Sequence, residues 1–311
     1  MKNIFTIITF LLFFGTCVNN ELKSDNFNYQ IQFRNNENRR QSNYYEESKV
    51  FWFYNPTNID HLSRTLDIEN LIISYSQDIL NLNFLKEIPQ LTDLKKLTII
   101  SKYNIENMEA LRFLHNLEEL HISGSRSTMV DISPIFYLDS LKYLELSELY
   151  HINDISLISN LNNLKRITIS NCNNIRDINP IFDLIGLEWL QILLNEEKDL
   201  TNITNLQQLE LLNIRINRQD NIDSVSNLNN LKSLIIQFDI IHDVTPLLNL
   251  KYLEEIIFLG DKVDVIPLAT SKSLKQIVVM FSTYEKYQEY IKNGGDIFEK
   301  NGIQFYYRVP H

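Results

Sequence analysis

The chain has 311 residues, 44% of them hydrophobic and 11% aromatic, so it carries enough apolar side chain to bury a sizeable core. With only 7 Gly and 7 Pro it lacks the composition of a linker-rich or disordered protein. Asp and Glu number 39 against 29 Lys and Arg, and the net charge of -10 repels phosphate backbones and offers none of the counterion release that drives nucleic-acid binding.

In chain order, the first element is "MKNIFTIITFLLFFGTC", where Lys2 precedes an apolar run from Ile4 to Phe14. That run is short for a bilayer span and has the length of a signal-peptide core, so residues 1–17 are read as a signal peptide and the mature protein as exported. "FFGTC" resembles a loose bacterial lipobox, with Phe14 where Leu is usual and Gly15-Thr16 in place of Ala-Gly or Ser-Gly. Two outcomes stay open: Cys17 is lipidated and anchors the chain at a cell envelope or surface, or it is lost at cleavage and the protein is secreted. No later segment approaches 18 uninterrupted apolar residues, so any membrane contact runs through Cys17. Residues 18–26 read as a tether. From 27 to 66, the aromatic, alternating "FNYQIQF" and "VFWFYNPTNIDHL" suit an N-terminal cap of strands.

A repeat then takes over. "LKKLTI" begins at 94, "LEELHI" at 117, "LKYLEL" at 141, "LKRITI" at 164, "LEWLQI" at 187, "LELLNI" at 209, "LKSLII" at 231, "LEEIIF" at 253 and "LKQIVV" at 274, with "IENLII" at 68 as an irregular first turn. The steps from 94 onward are 23, 24, 23, 23, 22, 22, 22 and 21 residues. Within each unit, pairs such as Leu120/Ile122 and Leu144/Leu146 alternate at period 2, the mark of a strand with one buried face. Downstream, Ile132, Ile135 and Leu138 point back toward the same interior. One unit cannot bury its face alone, so the units must stack as a parallel solenoid with a continuous core.

These residues resemble the leucine-rich repeat proteins, in particular the bacterial internalin-like type with a 22-residue unit. The resemblance implies an α/β, β-rich horseshoe solenoid with parallel strands on the concave face and N- and C-terminal caps. It covers residues 67–282 as about nine to ten units. The family's Asn position is occupied here by Lys102, Ser125, Leu149, Cys172, Asn195, Asn217, Asp239, Asp261 and Ser282, so no continuous Asn ladder is expected. Residues 283–311 leave the register. "TYEKYQEYIKNGG" reads as a short helix stopped by Gly294 and Gly295, and "KNGIQFYYRV" as a turn and final strand, together a C-terminal cap.

Candidate chemistry is sparse. "DISPIF" at 131, "DINPIF" at 177 and "DVTPLL" at 243 recur at repeat spacing before a turn, so Asp131, Asp177 and Asp243 are read as turn residues rather than acids of a site. Cys172 is read as an inert core thiol. The histidines lack zinc-binding spacing, and no G-x-S-x-G, phosphate loop or dinucleotide fingerprint is present. Catalysis, cofactors and metals are therefore not expected.

On the strands, the second and third positions carry charges whose sign mostly alternates from unit to unit, from Lys95-Lys96 and Glu118-Glu119 onward. Adjacent units would meet there as cross-strand pairs that fix register. What the frame does not explain is a polar and aromatic cluster near the middle of the array: His121, Tyr143, Glu145, Arg166, Trp189 and Gln191. Exposed aromatics flanked by polar groups are the material of interface hot spots. Ile235, Ile257, Leu259, Val278 and Met280 would leave the last concave rungs apolar, to be covered by the tail through Phe305 and Tyr306 or by a partner. The functional expectation is a monomeric, non-enzymatic module that binds a protein on its concave face. A surface glycan-binding module and an envelope scaffold without a single ligand are the alternatives.

Overall fold

The computed structural model describes residues 43–45, 50–54, 68–75, 79–124, 131–216, 219–260, 262–280 and 284–308. The expected signal peptide and tether, with Cys17, lie outside them. The strands are β1 (Asn43–Tyr45), β2 (Val50–Tyr54), β3 (Asn70–Tyr75), β4 (Leu80–Asn81), β5 (Lys96–Ser101), β6 (Ile105–Glu106), β7 (Glu119–Gly124) and β8 (Tyr143–Ser147). They continue as β9 (Arg166–Ser170), β10 (Trp189–Leu193), β11 (Leu211–Arg215), β12 (Ser233–Gln237), β13 (Glu255–Leu259), β14 (Gln276–Met280) and β15 (Gln304–Arg308). Among the described residues, all but β4 and β6 join one 13-stranded sheet, in which β1 is antiparallel to β2 and the remaining pairs are parallel. This is the horseshoe solenoid expected from the repeat.

Each repeat strand buries its second and fourth residues. Leu120 and Ile122, Leu144 and Leu146, and Leu190 and Ile192 enter one core that runs the length of the stack. After each strand the chain returns along the convex side, in most units through a five-residue 3₁₀ turn such as Ser133–Tyr137, Asn179–Asp183 or Thr245–Asn249. Ile132, Ile135 and Leu138 are buried there. The recurrent Asp starts this turn by accepting a backbone N–H two residues on. Asp131, Asp177 and Asp243 do so with Ser133, Asn179 and Thr245 at 2.8 to 2.9 Å. Asp154, Asp199 and Asp264 make the same bond in three further units. One unit departs: helix Gln219–Val225 replaces the 3₁₀ turn, and buried Asn221 ties it to the preceding unit by accepting from Leu200 N and donating to Glu197 and the Lys198 carbonyl.

The family's Asn position shifts along the array relative to the alignment expected from the repeat. Inward-facing residues after the strand are Leu149 and Cys172 as aligned, but then Leu194 and Phe238, while Asn195 and Asp239 face solvent. The slip has a backbone cause. Glu148 and Asn171 occupy the left-handed region, at φ 56° and 54°, between strand end and inward residue. Later units omit that residue and shorten to 22 or 21 residues. Left-handed backbone is costly for Glu and mild for Asn, so the unit containing Glu148 holds local strain that the shorter ones avoid.

Three asparagines outside the family position, in units that are not adjacent to one another, each bridge to the unit before. Asn116, Asn163 and Asn230, in the turn before the strand, each donate to a carbonyl of the previous unit, those of Thr92, Asp139 and Gln207, at 2.8 to 3.0 Å. The charge alternation forms the expected rung-to-rung pairs. Glu118 meets Lys95 at 3.4 Å and Lys142 at 2.6 Å; Lys165–Glu188, Glu210–Lys232 and Glu254–Lys275 follow at 2.7 to 3.0 Å. All are exposed, worth at most a few tenths of a kcal/mol each.

Some of these carboxylates titrate low. Lys142 bonding holds Glu118 below its usual range, and the backbone and side-chain donors of Ser156 and Thr245 do the same for Asp154 and Asp243. A native value below the unfolded one means that the stabilisation is complete above the unfolded carboxylate range near pH 4, and is lost as pH falls through the native values. Urea midpoints are expected to stay flat from pH 7 to 5 and to drop between pH 4 and 2.

Gly260 follows β13 at the place where inward residues stand in other units. A β-carbon there would lie 2.7 Å from the Phe238 carbonyl and 2.9 Å from its ring. Phe238 is itself held edge-on by Phe258, ring centres 5.9 Å apart. Gly260→Ala is therefore expected to lower stability by about 1–3 kcal/mol through overpacking, measured by urea unfolding.

The tail adds a rung. β15 pairs in parallel with β14, placing Phe305 beside Ile277 and Tyr306 beside Val278. Phe305 does not cover the concave face as expected; it turns instead to the core side, stacked between Tyr290 at 5.1 Å and Phe298 at 5.4 Å. Ile235, Ile257 and Val278 do not form an open apolar surface either, because stacked neighbours shield them and all three are buried.

Candidate functional site

Because the second and fourth residues fill the core, the odd positions of each strand form three rows on the concave face. The first reads Glu119, Tyr143, Arg166, Trp189, Leu211 and Ser233 in register from β7 to β12. The middle row reads His121, Glu145, Thr168, Gln191, Asn213 and Ile235 over the same strands. The third includes Ser123, Ser147, Ser170 and Leu193. The parallel strand spacing of about 4.8 Å makes every residue a neighbour of the one above and below.

The structure gathers the six residues singled out from sequence onto this face, in two connected groups. Glu145 is the hub of the first. It is only 9% exposed, and its Oε2 accepts from the Tyr143 phenol at 3.0 Å and faces His121 Nδ1 at 2.9 Å. The His121 ring meets Tyr143 edge-on at 4.7 Å. His121 Nε2, on the other side, is buried and 3.7 Å from Glu119, beyond hydrogen-bond reach. Burial, with the nearby Glu145 charge, pushes the Tyr143 phenol well above its ordinary range, so it stays a donor. Desolvation of Glu119 pushes its carboxyl up, but the Lys96 ammonium at 2.8 Å and His121 outweigh it and leave the group lowered.

Arg166 and Trp189 make the second group, the guanidinium 5.3 Å from the indole centre. Such an exposed cation–π contact is worth about 0.5–1 kcal/mol, and it holds both side chains in place without adding to the core. Gln191 lies behind them on the middle row, buried.

Sequence reading missed the floor on which these groups stand. Thr168, Ser170 and Asn213 are buried polar residues on the concave side, and Asn213 keeps 1% of its surface exposed. Among the described residues neither Asn213 amide atom has a hydrogen-bond partner, and the Ser170 hydroxyl has none either. The available signal was row position: Asn213 stands 22 residues after Gln191, one unit further on, yet polarity alone did not distinguish it from a solvated residue.

Elsewhere, Cys172 behaves as a core thiol. It is buried, its Sγ donates to the Ser170 and Leu146 carbonyls at 3.4 and 3.6 Å, and burial pushes it up to about 12. Asp131, Asp177 and Asp243 stand on the convex side, away from the cluster. Among the described residues no helix is long and apolar enough to cross a membrane.

This architecture is that of the leucine-rich repeat solenoid, with strands lining the concave face and 3₁₀ turns the convex one. Among solved structures the chain is similar to an internalin (inlF) from Listeria monocytogenes, at 18% identity over 85% of this chain and 82% of that one, TM-score 0.53. It is also similar to the functional domain of InlJ from the same organism, which includes a cysteine ladder, at 15% identity over 84% of this chain and 53% of that one, TM-score 0.50. These likenesses carry the fold. No protein-family model matches the sequence, and no curated protein matches it.

Proposed function

We propose that the chain is an exported, non-enzymatic module that binds another protein through the middle of its concave face. The observation that supports this reading is the cluster itself: His121, Tyr143, Glu145, Arg166 and Trp189 are fixed by contacts with one another. The core does not need them, yet their rotamers are set before any partner arrives, which lowers the entropic cost of binding. A Tyr, a Trp and an Arg on adjacent rungs also have the composition of an interface hot spot. Fold and surface do not by themselves name the partner.

The reading places the protein at the cell envelope or surface, held by a lipid on Cys17, or else secreted. It treats residues 27–66 and 283–311 as caps of a monomeric solenoid. Affinity capture tests the binding function. Residues 27–311 are immobilised beside the Trp189→Ala form, and envelope and secreted proteins are passed over both. A protein retained by the first and not by the second supports the reading; equal retention on both, or retention of nothing, counts against it.

A further inference from the structure

Asn213 is the most anomalous side chain on the concave face. Its strand neighbours Leu212 and Ile214 fill the core, so alternation aims Asn213 outward with Leu211 and Arg215. In register beside it stand Gln191 and Ile235. A carboxamide buried with neither its oxygen nor its nitrogen bonded is destabilising, and a folded protein keeps such a group where something else completes it. The Ser170 hydroxyl, likewise buried and unpartnered, lies two strands away in the adjacent row.

Resting on the concave-face reading above, we propose that Asn213 is a receptor for the backbone N–H and C=O of one residue in an extended segment of the partner protein. In this arrangement the side-chain oxygen takes the segment's N–H and the side-chain nitrogen donates to its C=O. In an extended chain the N–H and C=O of one residue point to the same side, and the oxygen and syn N–H of a carboxamide match that edge. Leu211 and Ile235 are buried beside the amide and shield it from water. The span from Asn213 to Ser170 is roughly 12 Å, from two strand spacings across and two residues along, and three to four residues of extended chain cover it. A glycan is less well served, since the Trp189 ring already carries the Arg166 guanidinium. Gln191 stands beside the amide and Arg215 two residues along; Arg215 is held by Asp239 at 3.1 Å and the Asn195 carbonyl at 3.4 Å, exposed contacts that it gives up when the segment docks.

The probe is a displayed library of random linear peptides, roughly twelve residues long, selected on the folded protein. Selected peptides are expected to lose affinity about tenfold or more on Asn213→Leu, and by a similar factor when one backbone nitrogen is methylated. Asn213→Leu is expected to keep or raise Tm, because it removes an orphaned amide. Should it fail to fold, Asn213→Ala replaces it, and methylation of the peptide tests the same bond on unaltered protein. Peptides that depend on Trp189 but are indifferent to Asn213→Leu or to methylation overturn this inference and leave the concave-face reading standing. Peptides indifferent to both residues overturn both. Failure to select any peptide overturns the inference, as does a linear glucose oligomer that shifts the Asn213 side-chain amide resonances where peptides do not.

Discussion

Phe298→Ala is expected to lower the stability of the protein by about 3–5 kcal/mol, in the range of large aromatic deletions from a closed core. Phe298 is fully buried and stacked against Phe305, which in turn stacks on Tyr290, and Ile303 is buried beside them. The effect is large because of position. An interior unit is covered on both sides by its neighbours, whereas Ile277 and Val279 of β14 have only the tail beyond them. In a stack whose stability is a sum of unit and interface terms, opening the last interface removes that whole term and leaves the β14 rung facing water. Urea unfolding of the variant measures the loss. Removal of residues 283–311 carries the same argument further: it strips β15 and Phe298 together, and aggregation of the shortened protein is expected. A soluble, monomeric product with an unchanged urea midpoint would show that the tail is not an end cover.

Trp189→Ala is the counterpart on the functional side. Binding to the captured partner is expected to weaken by about 1–4 kcal/mol, roughly 5- to 1,000-fold in Kd. Thermal stability should scarcely change, because the indole is only half-buried and among the described residues its ring meets the exposed Arg166 guanidinium. The two readouts separate the explanations: a Trp that served the core would lower Tm with binding, and a Trp that served neither would leave both unchanged. Calorimetric titration beside a melting curve of the same sample supplies both numbers.

The Asp turns, the paired charges and the core rows are legible in the amino-acid sequence, because each depends on neighbours at short range or on a repeated period. Asp131 accepts a bond two residues away; Leu144 and Leu146 alternate because a strand does. The candidate cluster is legible as a set of residues but not as a mechanism of order. Nothing in the spacing of 121, 143 and 145 says that one carboxylate oxygen serves both His121 and Tyr143. The face of Phe305 is not legible, since a strand beyond the repeat has no internal period to set its phase, and a one-residue shift turns every side chain over.

From the residues alone follow the solenoid, its parallel sheet, the role of "DISP" and the side on which to look for binding, since these rest on backbone periodicity that every unit repeats. Only the tertiary structure decided where the inward residue moves from Cys172 to Leu194, how the tail meets the last rung, and that Asn213 and Ser170 are buried without partners. Those outcomes depend on the stacking of units about 22 residues apart. There a single left-handed residue such as Glu148 or Asn171 sets which side chain enters the core, and the packing of neighbouring rungs decides whether a polar group meets water, another side chain or nothing.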